Sequence, residues 1–208
     1  MKDLHITRRQ ILKGAGAVSL LGVLTTPTVV FADSGDGDND KGRIRWDLID
    51  FSPPDIRAGG DDTASAEGES TLTLTGSGTF RPRSPRDVTG GGTWTTTNTD
   101  LPGSGSYRVT ELVSWRRAPG SLAGLPLNDH IGKLADTRAG LAVLRITYSD
   151  GLDGVLFLSC NLRGTPASVD EGINASREFV NFFDPAMPTV GKHSNRTLFH
   201  VLGESGES

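Results

Sequence analysis

Beyond residue 42 hydrophobic and polar positions alternate with a period of two, the pattern of half-buried strands rather than of helices. Ile44, Trp46 and Leu48 fall on one face of a first strand that reaches Phe51, and Leu72 and Leu74 lie between threonines in a second. Thr93 to Asn98 is a threonine-rich strand around Trp94. In the next strand Tyr107, Val109, Val113 and Trp115 share a face, with Glu111 as the polar exception. A last strand runs from Thr197 to Leu202.

The strongest pairing signal joins Gly140–Tyr148 to Val155–Leu162 through Ser149-Asp150-Gly151-Leu152-Asp153-Gly154. Two Asp-Gly steps between β-rich runs predict a hairpin, because glycine accepts the positive φ of such turns. The second arm is apolar on both faces until Ser159, which predicts a central strand covered on each side. Asp170 to Phe183 fits either a helix (Ile173, Ser176, Val180, Phe183) or two strands broken by a bend, and strand is favoured for its first half. About eight strands, many glycines and few helical patterns predict an all-β domain over 43–208, an antiparallel barrel or, alternatively, a β-sandwich. The barrel is preferred because Thr197–Leu202 can close on Ile44–Phe51 and remove exposed edges.

The N-terminal segment has a different plan: a basic stretch (Lys2, Arg8, Arg9), an apolar centre from about Ile11 to Val29, and Val30-Phe31-Ala32 before Asp33. This is the three-part order of a signal peptide, with cleavage expected after Ala32. Thr7-Arg8-Arg9-Gln10-Ile11-Leu12-Lys13 resembles the twin-arginine export signal, and Gly14, Gly16, Ser19 and Gly22 make the centre less apolar than an ordinary secretory core. The resemblance covers only the leader, 1–32. It implies a prokaryotic protein carried folded by the twin-arginine translocase to the periplasm, cell wall or medium. No stable membrane span is expected after cleavage: glycines, threonines and Pro27 make the leader a poor anchor for a span of roughly 20 apolar residues.

Composition narrows the function. Removing 1–32 leaves 176 residues, one domain with enough chain for a real core. Subtracting the leader's +3 from the chain's −4 leaves −7, which argues against a nucleic-acid binder, since that needs a basic footprint. Cys160, the one cysteine, lies within an apolar run, so no intrachain disulfide forms and a buried, inert thiol is expected. Residues 33–42 read as an acidic, solvated linker. From Asp36 they loosely follow a calcium loop, but Lys41 stands where that loop needs glycine. The three tryptophans sit in strand patterns and are expected in the core.

Standard chemistry is sparse. No paired cysteines, dinucleotide fingerprint, phosphate loop or Gly-x-Ser-x-Gly step occurs, so no cofactor is expected. The basic clusters Arg81-Pro82-Arg83 to Arg86 and Arg116-Arg117 fall where turns are predicted and read as solvated loops. Polar candidates gather in the C-terminal third: Asp170, Glu171, His193, Asn195, Arg196 and His200, with His130 on the long loop after Ala118. A histidine pair with a carboxylate has the donor types of a zinc site, but one His alternating with Phe199 and Val201 reads better as a core or wall residue. Arg196 is expected to form a salt bridge with Glu171 or Asp170.

Two functions follow. One is an exported, non-catalytic β-barrel that binds a small apolar or amphipathic ligand or serves the cell envelope, as small barrels hold ligands in their mouths. The other is a secreted enzyme of lyase, cyclase or hydrolase type in which Glu171, Arg196 and His200 converge, one base and one cation orienting a substrate.

Overall fold

The computed structural model describes residues 42–67, 69–189, 191 and 195–203. The leader with Arg8, Arg9 and Ala32, most of the linker, and His193 lie outside the described residues. Among the described residues the chain is all-β; a 3-10 turn at Leu134–Asp136 is its helical element, and no helix is long and apolar enough to cross a membrane.

Six strands close an antiparallel ring. β1 (Arg43–Ser52) pairs with β5 (Ser77–Arg81), then come β6 (Ser84–Thr96), β7 (Gly103–Ala118), β9 (Thr137–Tyr148) and β14 (Thr197–Leu202), which returns to β1. The closing register puts Ile44 opposite Val201, Trp46 opposite Phe199 and Leu48 opposite Thr197. Because side chains directly opposite share a face, the alternation read from the sequence becomes one wall of the interior. Phe80, Trp115 and Phe199, from three different strands, meet there with ring centroids 4.7–6.3 Å apart in tilted or edge-on packing. Trp46 and Trp94 are buried, whereas Trp115 is half-buried and packs against the core from its margin.

The remaining strands form two wings. On one side β10 (Asp153–Cys160), β11 (Gly172–Arg177) and β12 (Val180–Phe182) extend the sheet from β9; on the other, β4 (Thr71–Thr75), β3 (Asp61–Ser65) and β13 (Asp184–Pro185) extend it from β6. Since β12 pairs with β11 and β13 pairs with β3, the short stretch 180–185 straps one wing to the other. Between the wings the buried Arg177 guanidinium lies 4.3 Å from the Trp94 ring, donates to the Leu101 carbonyl at 2.8 Å and pairs with Asp150. The crossing from β4 to β5 along β6 needs glycine: a Cβ on Gly92 would lie 1.9 Å from the Thr75 carbonyl oxygen.

Several expectations change in detail. Val113 does not share the buried face of Tyr107 and Val109. Register shifts between Val109 and Glu111 and between Leu112 and Ser114 turn Leu112 inward and leave Val113 51 % exposed. Arg116 and Arg117 lie within β7, not in a turn. The hairpin turn uses Gly151 at φ 91°, while Gly154 is already in β10. β10 is central in the sheet, yet only its inner face (Leu156, Leu158, Cys160) is buried; Val155 and Phe157 are half-buried, the latter edge-on to exposed Phe183. The ambiguous region 170–183 is a strand pair, β11 and β12, turned at Glu178 with φ 51°.

Phe199 packs against both Phe80 and Trp115 and sits in the strand that closes the ring. Phe199→Ala is expected to cost roughly 3–5 kcal/mol, read as a lower midpoint in equilibrium urea unfolding; an unchanged midpoint would contradict this account of closure.

Candidate functional site

The outer face of the closing strands is covered by chain that the strands themselves do not supply. After β1 the chain doubles back as β2 (Asp55–Ala58), which pairs with the end of β1, and β8 (Asn128–Asp129) from the long 119–136 loop runs parallel to β2. Asp55 anchors this layer. It accepts from Asn128 at 3.0 Å and Arg57 at 2.7 Å and lies 3.2 Å from His130, and these contacts hold its carboxyl well below the usual range.

Under the layer is a cavity of about 230 Å³. Ile49, Phe51 and Leu198 form its wall, Ile56 and the loop's Leu122, Leu125 and Leu127 its cover. Asn161, Leu162, Arg163, Glu171, Arg196 and Thr197 line the rest. Apolar sides with a few polar groups are the composition of a small-molecule site. The cavity lies against the outer face of the ring, not in its lumen, because the ring is filled by aromatic side chains.

Glu171 ties two strands together at the cavity floor. One oxygen accepts the Thr197 amide at 2.8 Å at the start of β14, and the other accepts the Asn161 amide at 2.5 Å just past β10. Burial pushes its carboxyl up to about 7, although both amides and the nearby Arg196 pull the other way. Behind it, the carboxyl oxygens of fully buried Asp62 on β3 have no partner within hydrogen-bonding geometry among the described residues, the Arg196 amide lying near but not bonded. Its carboxyl is raised well above the ordinary range by burial and by Glu171, and the Arg196 amide offsets only part of this. The thiol of Cys160 is buried and raised for the same first reason.

Arg196 does not form the expected salt bridge with Glu171 or Asp170 among the described residues. Its guanidinium lies 5.3 Å from the Phe51 ring, with Nε sealed from solvent and unpartnered. The nearby amides satisfy Glu171 instead, which removes the reason for the bridge.

His200 shares the outer face of β14 with Leu198 but does not line the cavity. It is sealed under the loop with Nε2 2.7 Å from Asp129, both side chains 2 % exposed. Burial raises the Asp129 carboxyl, but His200 and the amides of Ile131 and Gly132 outweigh it and keep it below the ordinary range. Gly132 is required here, since a Cβ would come within 2.7 Å of the imidazole. Arg45, opposite His200 across β1, holds fully buried Asp47 through two 2.8 Å bonds. The structure thus brings Glu171 and Arg196 to one cavity and gives His200 to a loop latch. No group of three metal-type donors gathers among the described residues.

Sequence reasoning missed Asp62, Asp129 and the leucines of the 119–136 loop. Asp62 had a faint signal, since it alternates with Ala64 on what becomes a buried face; the loop leucines follow no period. No protein-family model matches the chain, and neither the curated proteins nor the solved structures give a match. The cavity's chemistry must therefore be argued from its own residues.

Glu171 makes stability depend on pH in a defined direction. Its carboxyl releases its proton near 4.5 when unfolded and near 7 when folded, so between those values the native state holds the extra proton. Stability therefore falls as pH rises through that window, by about 3 kcal/mol at the limit, with Asp62 acting in the same sense. Urea midpoints at about pH 5 and pH 8 should show the decline in the native protein and a flatter profile in Glu171→Gln.

Proposed function

We propose that this is an exported, non-catalytic β-barrel that binds a small, largely apolar ligand in the cavity between the closing strands and the 119–136 loop. The observation that carries the reading is a cavity with leucine and phenylalanine sides and only a few polar groups, under a cover whose two short strands are joined by Asn128 and Asp55 and fastened to the barrel by Asp129 and His200. The rigid ring supplies the wall, and the loop supplies shape. Export rests on the leader: its twin-arginine pattern makes the translocase the partner during transit, and the periplasm, the wall or the medium the destination.

A secreted enzyme is the second reading, favoured by one feature, the Glu171 carboxyl placed near neutrality beside Arg196. It works with two groups rather than three, since the His200 ring is engaged elsewhere. Both Glu171 oxygens already accept backbone amides, which leaves it better suited to holding the floor of the cavity than to moving a substrate proton.

Titration with hexan-1-ol should shift the amide resonances of Leu122, Leu125 and Leu127 in a saturable way, and Leu125→Trp, which fills the cavity from its cover, should abolish the response. Shifts scattered over the surface, or unaffected by Leu125→Trp, would place binding elsewhere. For the leader, replacing Arg8 and Arg9 together by lysine in a native-type host should leave the precursor in the cytoplasm; undiminished export would remove the proposed route.

A further inference from the structure

We propose that the ligand is a small apolar carboxylate, with its hydrocarbon part against the loop leucines and its carboxylate on the terminal nitrogens of Arg196. The inference rests on the cavity being a ligand site and adds the chemical class that fills it.

Arg196 lacks a counter-charge bonded to it among the described residues. Among the described residues its guanidinium makes no ion pair and no hydrogen bond; it lies 5.3 Å from the Phe51 ring and near Glu171 without bonding to it. Nε is sealed off, but the two Nη atoms are not, and the side chain lines the cavity. A guanidinium presents parallel N–H donors that match a carboxylate's two oxygens. Here that fork is set among largely apolar walls with no hydrogen-bond acceptor to receive it among the described residues.

The neighbouring acid does not fill that role. Both oxygens of Glu171 are taken by the amides of Asn161 and Thr197, and burial pushes its carboxyl up to about 7, so in mildly acid solution it is mostly neutral. Arg163, a largely exposed residue at the cavity's edge, adds a second positive charge nearby. The site is therefore net cationic.

Filling the cavity then separates the ligand classes. Any occupant that displaces water from the Nη atoms removes their solvation, and that loss is recovered only by an acceptor of opposite charge. A neutral occupant leaves the cation stripped, and a cationic one adds repulsion. At about 230 Å³ the cavity is also smaller than the roughly 300 Å³ at which drug-sized sites begin. A short chain or a single ring is what fits.

The test is calorimetric titration of the whole exported chain at about pH 6 with three isosteres: hexanoate, hexan-1-ol and hexylamine. Hexanoate should bind at least about tenfold more tightly than the alcohol, the amine should bind most weakly, and added salt should weaken hexanoate alone. Arg196→Met should abolish the preference for hexanoate, and hexanol, which no longer meets a stripped cation, should bind no more weakly than it does to the native protein. Equal binding of acid and alcohol to the native protein overturns the choice of carboxylate while the cavity reading stands. Binding of none of the three overturns the cavity reading and this inference with it. A preference for hexanoate that survives in a folded Arg196→Met protein overturns the assignment to Arg196. The isostere series on the native chain decides the ligand class even if that variant does not fold.

Discussion

The structure depends on one strand being accepted on both sides at once. β14 pairs with the first strand over six residues and with β9 through only two register pairs, Phe199 with Arg138 and His200 with Thr137. Without it, β1 would present an unpaired row of backbone groups, β9 would lose the partners of Thr137 and Arg138, and the aromatic interior would open along that seam. Closure is non-local, joining residues near the two ends of the described chain. Its loop-closure entropy must be recovered by interior packing, which is why the seam carries Trp46, Phe199 and Leu48 rather than small residues.

The same strand organises the site. Its inner face belongs to the core, and its outer face offers, in order, Arg196 just before it, then Leu198 and His200. Leu198 lines the cavity and His200 meets the loop's Asp129. Glu171 grips the amide at the strand's start, so a cavity residue is also a fastener of the ring. Buried carboxyls are costly, and Asp47, Asp62 and Glu171 each meet that cost differently. Asp47 has a two-bond guanidinium partner, Glu171 has two amides, and the Asp62 carboxyl has no hydrogen bond among the described residues and responds by favouring its neutral form.

Much of the barrel was legible because period-two alternation survives in β1, β4, β9 and β10, and because closure of the last strand on the first follows from the need to remove edges. Alternation failed in β7, where two irregularities change which residues face inward, an effect no periodic pattern carries. The site was half legible. Polar residues near the C-terminus stood out by type, and Glu171 and Arg196 do line the cavity. What completes the cavity is a loop of irregular leucines and a doubled-back strand, placed by pairings between positions more than seventy residues apart, such as Asp55 with Asn128. His200 illustrates the same limit: its alternation with Phe199 and Val201 gave its face, but only the fold supplies Asp129.

The strap at 180–185 changes how the molecule would respond to damage. One stretch of six residues gives hydrogen-bonding partners to β11 at one end and to β3 at the other, so a single backbone cut there frees two sheet margins together. Phe179, Phe183 and Met187 stand exposed in and beside it. A protease visiting this visible, apolar ribbon would therefore convert a protein with short, guarded margins into one with two adhesive ones.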